Sequence, residues 1–193
     1  MAKKIDRHIT EIRIHGRGGQ GAVTTGQLIA IAAFYDNKQC QTFPFFGLER
    51  TGAPVEAYVR ISNQCIGTRT QVYHPDMVLV LDSTLSDVVD VTAGLKENGL
   101  LIINTNKKPA ELGIKGDLSN FKVYCVDATA IANKIFGSPI VNTAVIGALA
   151  AASGIISLDS INKAIEEKFE KTKGKKISDL NKQAVSELFN QTK

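Results

Sequence analysis

An α/β fold, with a Rossmann-like, mostly parallel sheet and flanking helices, is the architecture this sequence predicts. Three observations point to it. First, an alternating segment at residues 10–15, with Ile12 and Ile14 apolar and Arg13 and His15 polar, runs into Gly16, Gly18, Gly19 and Gly21. A helix-like stretch with Leu28, Ile29, Ile31, Ala32 and Phe34 follows, and strand, glycine turn and helix open such domains. Second, residues 77–81 (Met-Val-Leu-Val-Leu) and 99–104 (Gly-Leu-Leu-Ile-Ile-Asn) are short apolar runs, as in parallel strands buried on both faces. Third, residues 55–61 alternate, Val55, Ala57, Val59 and Ile61 against Glu56, Tyr58 and Arg60, the period of a half-buried strand.

Composition sets the bounds. The chain has 193 residues, 44% hydrophobic and 22% charged, the profile of a soluble globular protein. One domain over 1–193 is expected, able to bury about 70% of its unfolded surface without disulfides or metals. The net charge of +4 is too weak to argue a nucleic-acid partner. Residues 163–193 hold eight lysines against five acids, read as a solvated helical face. No apolar run reaches the roughly 18 residues of a membrane span, and no apolar signal core opens the chain. The three cysteines, Cys40, Cys65 and Cys125, are widely spaced and fit a reducing cytoplasm.

In order, the elements are as follows. Residues 10–15 form a buried, central first strand. A helix runs from about Gln20 to Tyr35, and Asp36, Asn37 and Lys38 break it. Residues 39–43 form a short second strand. Residues 43–54 (Phe-Pro-Phe-Phe-Gly-Leu-Glu-Arg-Thr-Gly-Ala-Pro) carry too many prolines and glycines for helix or ordinary strand, so a packed loop presenting Glu49 and Arg50 is expected. The strand at 55–61 turns at Ser62, Asn63 and Gln64, and residues 65–68 are its expected hairpin partner. The strand at 77–81 leads to Asp82, Ser83 and Thr84, at the end where open α/β sheets place ligand groups. Residues 85–95 are helical or irregular, 99–104 a strand, 107–120 a polar connection and 121–126 a strand ending in Asp127. Helices are expected at 128–136, 142–154 (rich in small residues, for close packing), 158–169 (amphipathic, capped by Ser157 or Asp159) and 177–189, with a charged linker at 171–176.

Gly16-x-Gly18-x-x-Gly21 matches the dinucleotide fingerprint in letters. Amides without side chains can approach a phosphate at a helix N-terminus; alternatively the glycines serve a tight turn needing φ > 0, Gly18 included. The dinucleotide site also needs an acid at the end of the second strand, where this chain has Gln41, Thr42 and Phe43. Arg17 and Gln20 favour contact with an anion, a substrate group or a partner chain. Arg50 is either an anion contact or solvated beside a buried aromatic plug. His15 and Asp82 are read as structural groups near the site. No metal-ligand spacing, serine elbow or Walker lysine is present.

Five blocks in order carry a resemblance: Gly-Arg-Gly-Gly-Gln-Gly (16–21), Phe-Pro-Phe-Phe-Gly-Leu-Glu-Arg-Thr-Gly-Ala-Pro-Val (43–55), Pro-Asp-Met-Val-Leu-Val-Leu-Asp (75–82), Gly-Leu-Leu-Ile-Ile-Asn-Thr (99–105) and Asn-Thr-Ala-Val-Ile-Gly-Ala (142–148). The sequence resembles the gamma subunits of the 2-oxoacid:ferredoxin oxidoreductases, those of pyruvate:ferredoxin or flavodoxin oxidoreductase most. The resemblance implies a chain inactive alone, partnered by alpha, beta and delta subunits, in a complex that oxidatively decarboxylates pyruvate to acetyl-coenzyme A. It implies that thiamine diphosphate and iron–sulfur clusters lie on partner chains, with ferredoxin or flavodoxin as acceptor. Gly116-Asp117 is followed by Leu118, so the thiamine diphosphate motif is incomplete here. Coenzyme A contact is implied for Gly16, Arg17, Gly18, Gly19, Gln20, Gly21, Glu49 and Arg50. Two alternatives stay open: another 2-oxoacid (2-oxoglutarate, branched-chain or arylpyruvate), and a stand-alone nucleotide-binding module.

Overall fold

A computed structural model of the chain describes residues 9–45, 51–68, 70–114 and 117–193. Its strands are β1 (Ile9–Arg17), β2 (Gln39–Phe45), β3 (Pro54–Ser62), β4 (Met77–Val80), β5 (Leu100–Asn104) and β6 (Lys122–Val126). They form one sheet in the order β2-β3-β1-β4-β5-β6. Pairing is parallel from β1 through β4 and β5 to β6, and β3 runs antiparallel to both β1 and β2. The predicted class holds: a mostly parallel α/β sheet with an antiparallel hairpin, in which β3 alone is reversed.

The hairpin itself differs from expectation. It joins β2 to β3, and residues 65–68 form no strand. The reason is geometric: β1 and β2 occupy both edges of β3, leaving no free edge for a third partner. Phe43, Pro44 and Phe45 also belong to β2, not to a loop. Pro44 is tolerated because β2 is an edge strand, where one missing donor can face away from the ladder. Residues 46–50, including Glu49 and Arg50, lie outside the described residues.

The helices are α1 (Ala22–Tyr35), α2 (Ala128–Phe136), α3 (Ala144–Ser153), α4 (Leu158–Ile165), α5 (Lys171–Lys173) and α6 (Lys175–Thr192). α1 starts two residues later than expected because Gly21, at φ 85°, is its N-cap. The expected single helix over 158–169 is α4 followed by a π turn at Glu166–Glu170. Ser157 caps α4 through its side-chain oxygen, which accepts from the Ser160 amide. The expected charged linker at 171–176 is mostly helical, broken only at Gly174 with φ 86°. Among the described residues no helix is long and apolar enough to cross a membrane.

The two faces of the sheet bury different things. Ile12, Ile14, Val59, Leu79 and Ile102 lie on one face under the helices, with Leu28, Ile29, Val145, Ile161 and Leu188 in the same core. On the other face Val78, Val80, Leu101 and Ile103 are covered by Leu85, Val91 and Leu95. Alternation along β1 and β3 turns Glu11, Arg13, His15, Glu56, Tyr58 and Arg60 toward that second face, in the register Glu11–Arg60, Arg13–Tyr58 and His15–Glu56. The second face is thus apolar beneath β4 to β6 and charged beneath β1 and β3.

Candidate functional site

Chain direction creates the site. After β1 the chain enters α1 on the first face. After β4 it enters a short 3-10 turn, Ser83–Asp87, whose Leu85 packs on the second face. β1 and β4 are parallel neighbours, so the connections diverge and leave a crevice at their C-terminal ends, where open α/β sheets bind ligands. The crevice measures about 880 Å³ and is lined by Gly19, Gln20, Asp82, Asn104, Lys107 and Asn142 among others.

The glycine turn forms one wall. Positive φ falls at Gly19 (94°) and Gly21 (85°), not at Gly18. Gly21 also faces Asn142: a Cβ there would lie 2.4 Å from Asn142 Nδ2. The hairpin braces the turn from the other side, with Gly18 N donating to Ala53 O (2.8 Å) and Gly52 N to Gly18 O (3.1 Å). This arrangement argues against a dinucleotide independently of the missing acid. The insertion of β3 puts the end of β2 one strand further from the turn, so an acid there could not serve the ribose.

Arg17 and Gln20 converge on an anion, which is the chain's own Asp82. Arg17 Nε and Gln20 Nε2 each donate to Asp82 Oδ2 at 3.0 Å. The Thr84 amide and hydroxyl donate to Asp82 Oδ1 at 3.0 and 2.7 Å, so Asp82 caps the 3-10 turn, as its place in the sequence indicated. Arg17 further donates to Thr84 Oγ1 (2.7 Å) and Gly52 O (3.2 Å). Burial alone would raise the Asp82 carboxyl. Hydrogen bonds from Thr84, Gln20 and Arg17 outweigh it and hold the group below the usual carboxylate value. Asp82→Ala is expected to cost about 1–2 kcal/mol, the loss of a cap and of shared charge partners. Asp82→Asn should cost less, because its oxygen can still cap. Equal melting temperatures for wild type and Asp82→Ala would show that the network holds nothing in place.

On its other side the turn borders a smaller hollow of about 430 Å³, lined by Gly18, Gly19, Gly21, Ala22, Val23, Pro44, Thr51 and Glu56 among others. The N-terminus of α1 opens here. Among the described residues it has no side-chain cap, and its first turn has no acid, so its leading amides and its dipole favour an anion there. Pro44 and Thr51, which flank the segment carrying Glu49 and Arg50, both line this hollow.

Below the turn sits the charged half of the second face. Arg13 donates to Val91 O (3.2 Å) and Ala93 O (2.5 Å). Tyr58 donates to Glu56, whose other oxygen lies 3.5 Å from His15 Nδ1. Burial, with the neighbouring Arg13 charge, lowers the His15 pKa to about 3, so at neutral pH His15 is uncharged and its contact with Glu56 is not an ion pair. His15 is buried as a structural group would be, but its Nε2 has no hydrogen-bond partner among the described residues. A proton refused by the folded state but taken up by the unfolded chain makes stability fall as pH drops below about 6.5. His15 alone should remove about 2 kcal/mol between pH 7 and pH 5. In denaturant titrations at both pH values, wild type should lose about 2 kcal/mol more than His15→Leu on going from pH 7 to pH 5; equal losses would refute the assignment.

Three crevice residues escaped the sequence reading. Asn104 donates to Leu81 O (2.9 Å) and to Thr129 Oγ1 (3.0 Å), tying the ends of β4 and β5 to the start of α2. Thr25 Oγ1 donates to Asn142 O (2.7 Å), fixing Asn142 over the glycine turn. Lys107 lines the same crevice as Asp82 and Asp127. The strand-end rule applied to Asp82 also finds Asn104; nothing local announces Asn142.

Residues 11–190 match the family described as pyruvate ferredoxin/flavodoxin oxidoreductase. The chain is 51% identical over 182 residues to the pyruvate/ketoisovalerate oxidoreductases common subunit gamma of Thermococcus kodakarensis, covering 94% of this chain and 96% of that protein. It is 50% identical over 179 residues to the pyruvate synthase subunit PorC of Methanocaldococcus jannaschii, covering 93% and 97%. The crystal structure of the pyruvate oxidoreductase subunit PORC from Thermotoga maritima superposes with a TM-score of 0.80 at 38% identity, covering 94% and 96%. A Rossmann-like domain whose glycine turn is closed by its own carboxylate and by an inserted hairpin is thus an oxidoreductase subunit, of the gamma type of the 2-oxoacid enzymes, and not a free-standing nucleotide module. The chain belongs to the pyruvate ferredoxin/flavodoxin oxidoreductase family.

Proposed function

We propose that this gamma subunit works with pyruvate as its 2-oxoacid, assembled in the cytoplasm with alpha, beta and delta subunits, with ferredoxin or flavodoxin as electron acceptor. The names of the relatives at 50–51% identity support pyruvate, and one of them also names ketoisovalerate, which keeps a branched-chain acid as the second reading. Thiamine diphosphate and the iron–sulfur clusters are assigned to the partner chains.

The chain's own part is to bind. The observation that carries this reading is the uncapped N-terminus of α1, opening on a hollow beside a crevice whose Asp82 is already engaged by Arg17 and Gln20. A phosphate of coenzyme A fits that amide cluster chemically. Gly19, Gly21 and the first turn of α1 would hold it through backbone donors, while Gly18, whose amide donates to Ala53 O, would shape the turn. Arg17 and Gln20 would act indirectly, by keeping the turn closed on Asp82. Glu49 and Arg50, which lie outside the described residues, are kept as coenzyme A contacts on the family resemblance alone. When bound, coenzyme A would supply the thiol that takes the acetyl group once decarboxylation and a two-electron oxidation on the partner chains have produced it, the electrons leaving to ferredoxin or flavodoxin.

The test is affinity purification of the tagged chain from its native cells, followed by turnover assays with each 2-oxoacid. Co-purification of thiamine diphosphate and cluster subunits, with pyruvate the best substrate, is expected. Recovery of a lone chain would overturn the assembly, and faster turnover of ketoisovalerate would overturn the choice of acid. Hydrogen exchange of residues 18–24 in that complex tests the binding role: coenzyme A should slow it, and unchanged exchange with saturating coenzyme A would sink the assignment.

A further inference from the structure

A separate groove of about 810 Å³ lies between the start of α1, the end of α2, the π turn and α6. Its floor is apolar: Ile135, Phe136, Ile140, Ile177 and Leu180. Ile140 is 54% exposed and the other four are half-buried. Lys168, Lys173 and Lys176 stand around this floor, and among the described lining residues there is no carboxylate.

Among the described residues no carboxylate pairs with Lys168, Lys173 or Lys176. Lys168 donates to the neutral Gln27 (2.7 Å), and Lys173 sits 5.7 Å over the Phe169 ring. Lys182 and Lys134, by contrast, pair with Glu166 and Glu187 elsewhere on the surface. Lys175 and Lys176 occupy the first turn of α6, which has no acid and no side-chain cap. Positive side chains oppose the helix dipole there. An exposed apolar floor ringed by cations is unfavourable in two ways, through hydrated apolar surface and through like-charge repulsion. One kind of occupant relieves both: apolar side chains flanked by carboxylates.

We propose that this groove is the docking surface for an acidic, amphipathic segment of a partner subunit in the oxidoreductase. The inference rests on the gamma-subunit reading. The occupant lays its apolar face on Phe136, Ile140, Ile177 and Leu180, as a helix does in a groove, and its carboxylates meet Lys168, Lys173 and Lys176. The eight lysines of the C-terminal region, read from the sequence as a solvated face, then include a recognition element.

The experiment uses the assembled complex. Carbodiimide, which joins lysine to carboxylate without a spacer, should link Lys173 or Lys176 to Asp or Glu of a partner subunit, identified by mass spectrometry. The Lys173→Glu/Lys176→Glu chain should keep its melting temperature and be held by the partners about tenfold more weakly at low salt, with much of the difference lost at high salt. Free acetylation of both lysines in the assembled complex would overturn the proposal. So would a link between two isotopically distinguished copies of this chain, or protection by a small anionic amphiphile with no peptide link. If no oxidoreductase subunit co-purifies at all, the gamma-subunit reading has failed instead, which is a different result from free lysines in an intact complex.

Discussion

Replacement of Gly147 by valine is expected to destabilise the chain by at least about 3 kcal/mol, the upper part of the range for overpacking. Gly147 lies in α3 where that helix crosses α6. A Cβ at this position would fall 2.2 Å from the carbonyl oxygen of Val185, 3.0 Å from its carbon and 3.1 Å from the Phe189 amide nitrogen. All three are backbone atoms, so no rotamer change relieves the clash and the helices must separate. Ala144, Val145 and Ile146 on α3 and Ala184, Val185 and Leu188 on α6 are buried to within 1%, so separation opens voids along the seam. For a domain of this size the melting temperature should drop by roughly 6–12 °C, with little soluble protein at the extreme. Gly147→Ala carries the same Cβ without further bulk and should already lower it. An alanine variant melting within a degree of wild type would mean that the helices do not approach this closely.

Arg60→Ala is the second large loss, expected at about 3 kcal/mol. Arg60 is 1% exposed. Its Nε donates to Glu11 Oε1 at 2.8 Å, Nη1 to Gln41 Oε1 at 3.3 Å and Nη2 to Gln71 O at 3.2 Å. Its guanidinium carbon lies 5.4 Å from the Phe43 ring centroid. One side chain thus bridges β3, β1, β2 and the segment after them. Truncation leaves a cavity and removes the partner of Glu11, and breaking a buried pair costs about 3–5 kcal/mol. The lower figure applies because Glu11 keeps 23% exposure and water can take over part of its solvation. Arg60→Met/Glu11→Met, which removes both charges and keeps volume, should recover much of the loss. Urea denaturation of the two variants decides the matter: equal stabilities would show that the ion pair is not the cause.

Much of the fold was legible because its signals are local. The period-two pattern of 55–61 and the apolar runs at 77–81 and 99–104 became β3, β4 and β5 nearly residue for residue. The small-residue stretch near Ala144 became the closely packed α3. The misreadings occurred where tertiary context overrode local chemistry. Pro44 argued against a strand, but an edge strand tolerates it. Residues 65–68 looked available for a hairpin, but β3 had no edge left. Gly18 looked like the residue requiring a left-handed conformation, yet Gly19 and Gly21 adopt it.

The sequence by itself determined the α/β class, the strand–turn–helix unit around Gly16 to Gly21, the absence of a ribose-binding acid, and the family through five ordered motifs. Patterns of two and 3.6 residues lie within short windows, so they survive without knowledge of the fold. Only the tertiary structure decided that β3 enters between β1 and β2, and that Arg17 and Gln20 spend their donors on Asp82. Those partners lie 65 and 62 residues apart in sequence. Strand order and long-range charge pairing depend on which edges and partners the packed chain leaves free, and no short window of sequence holds that information.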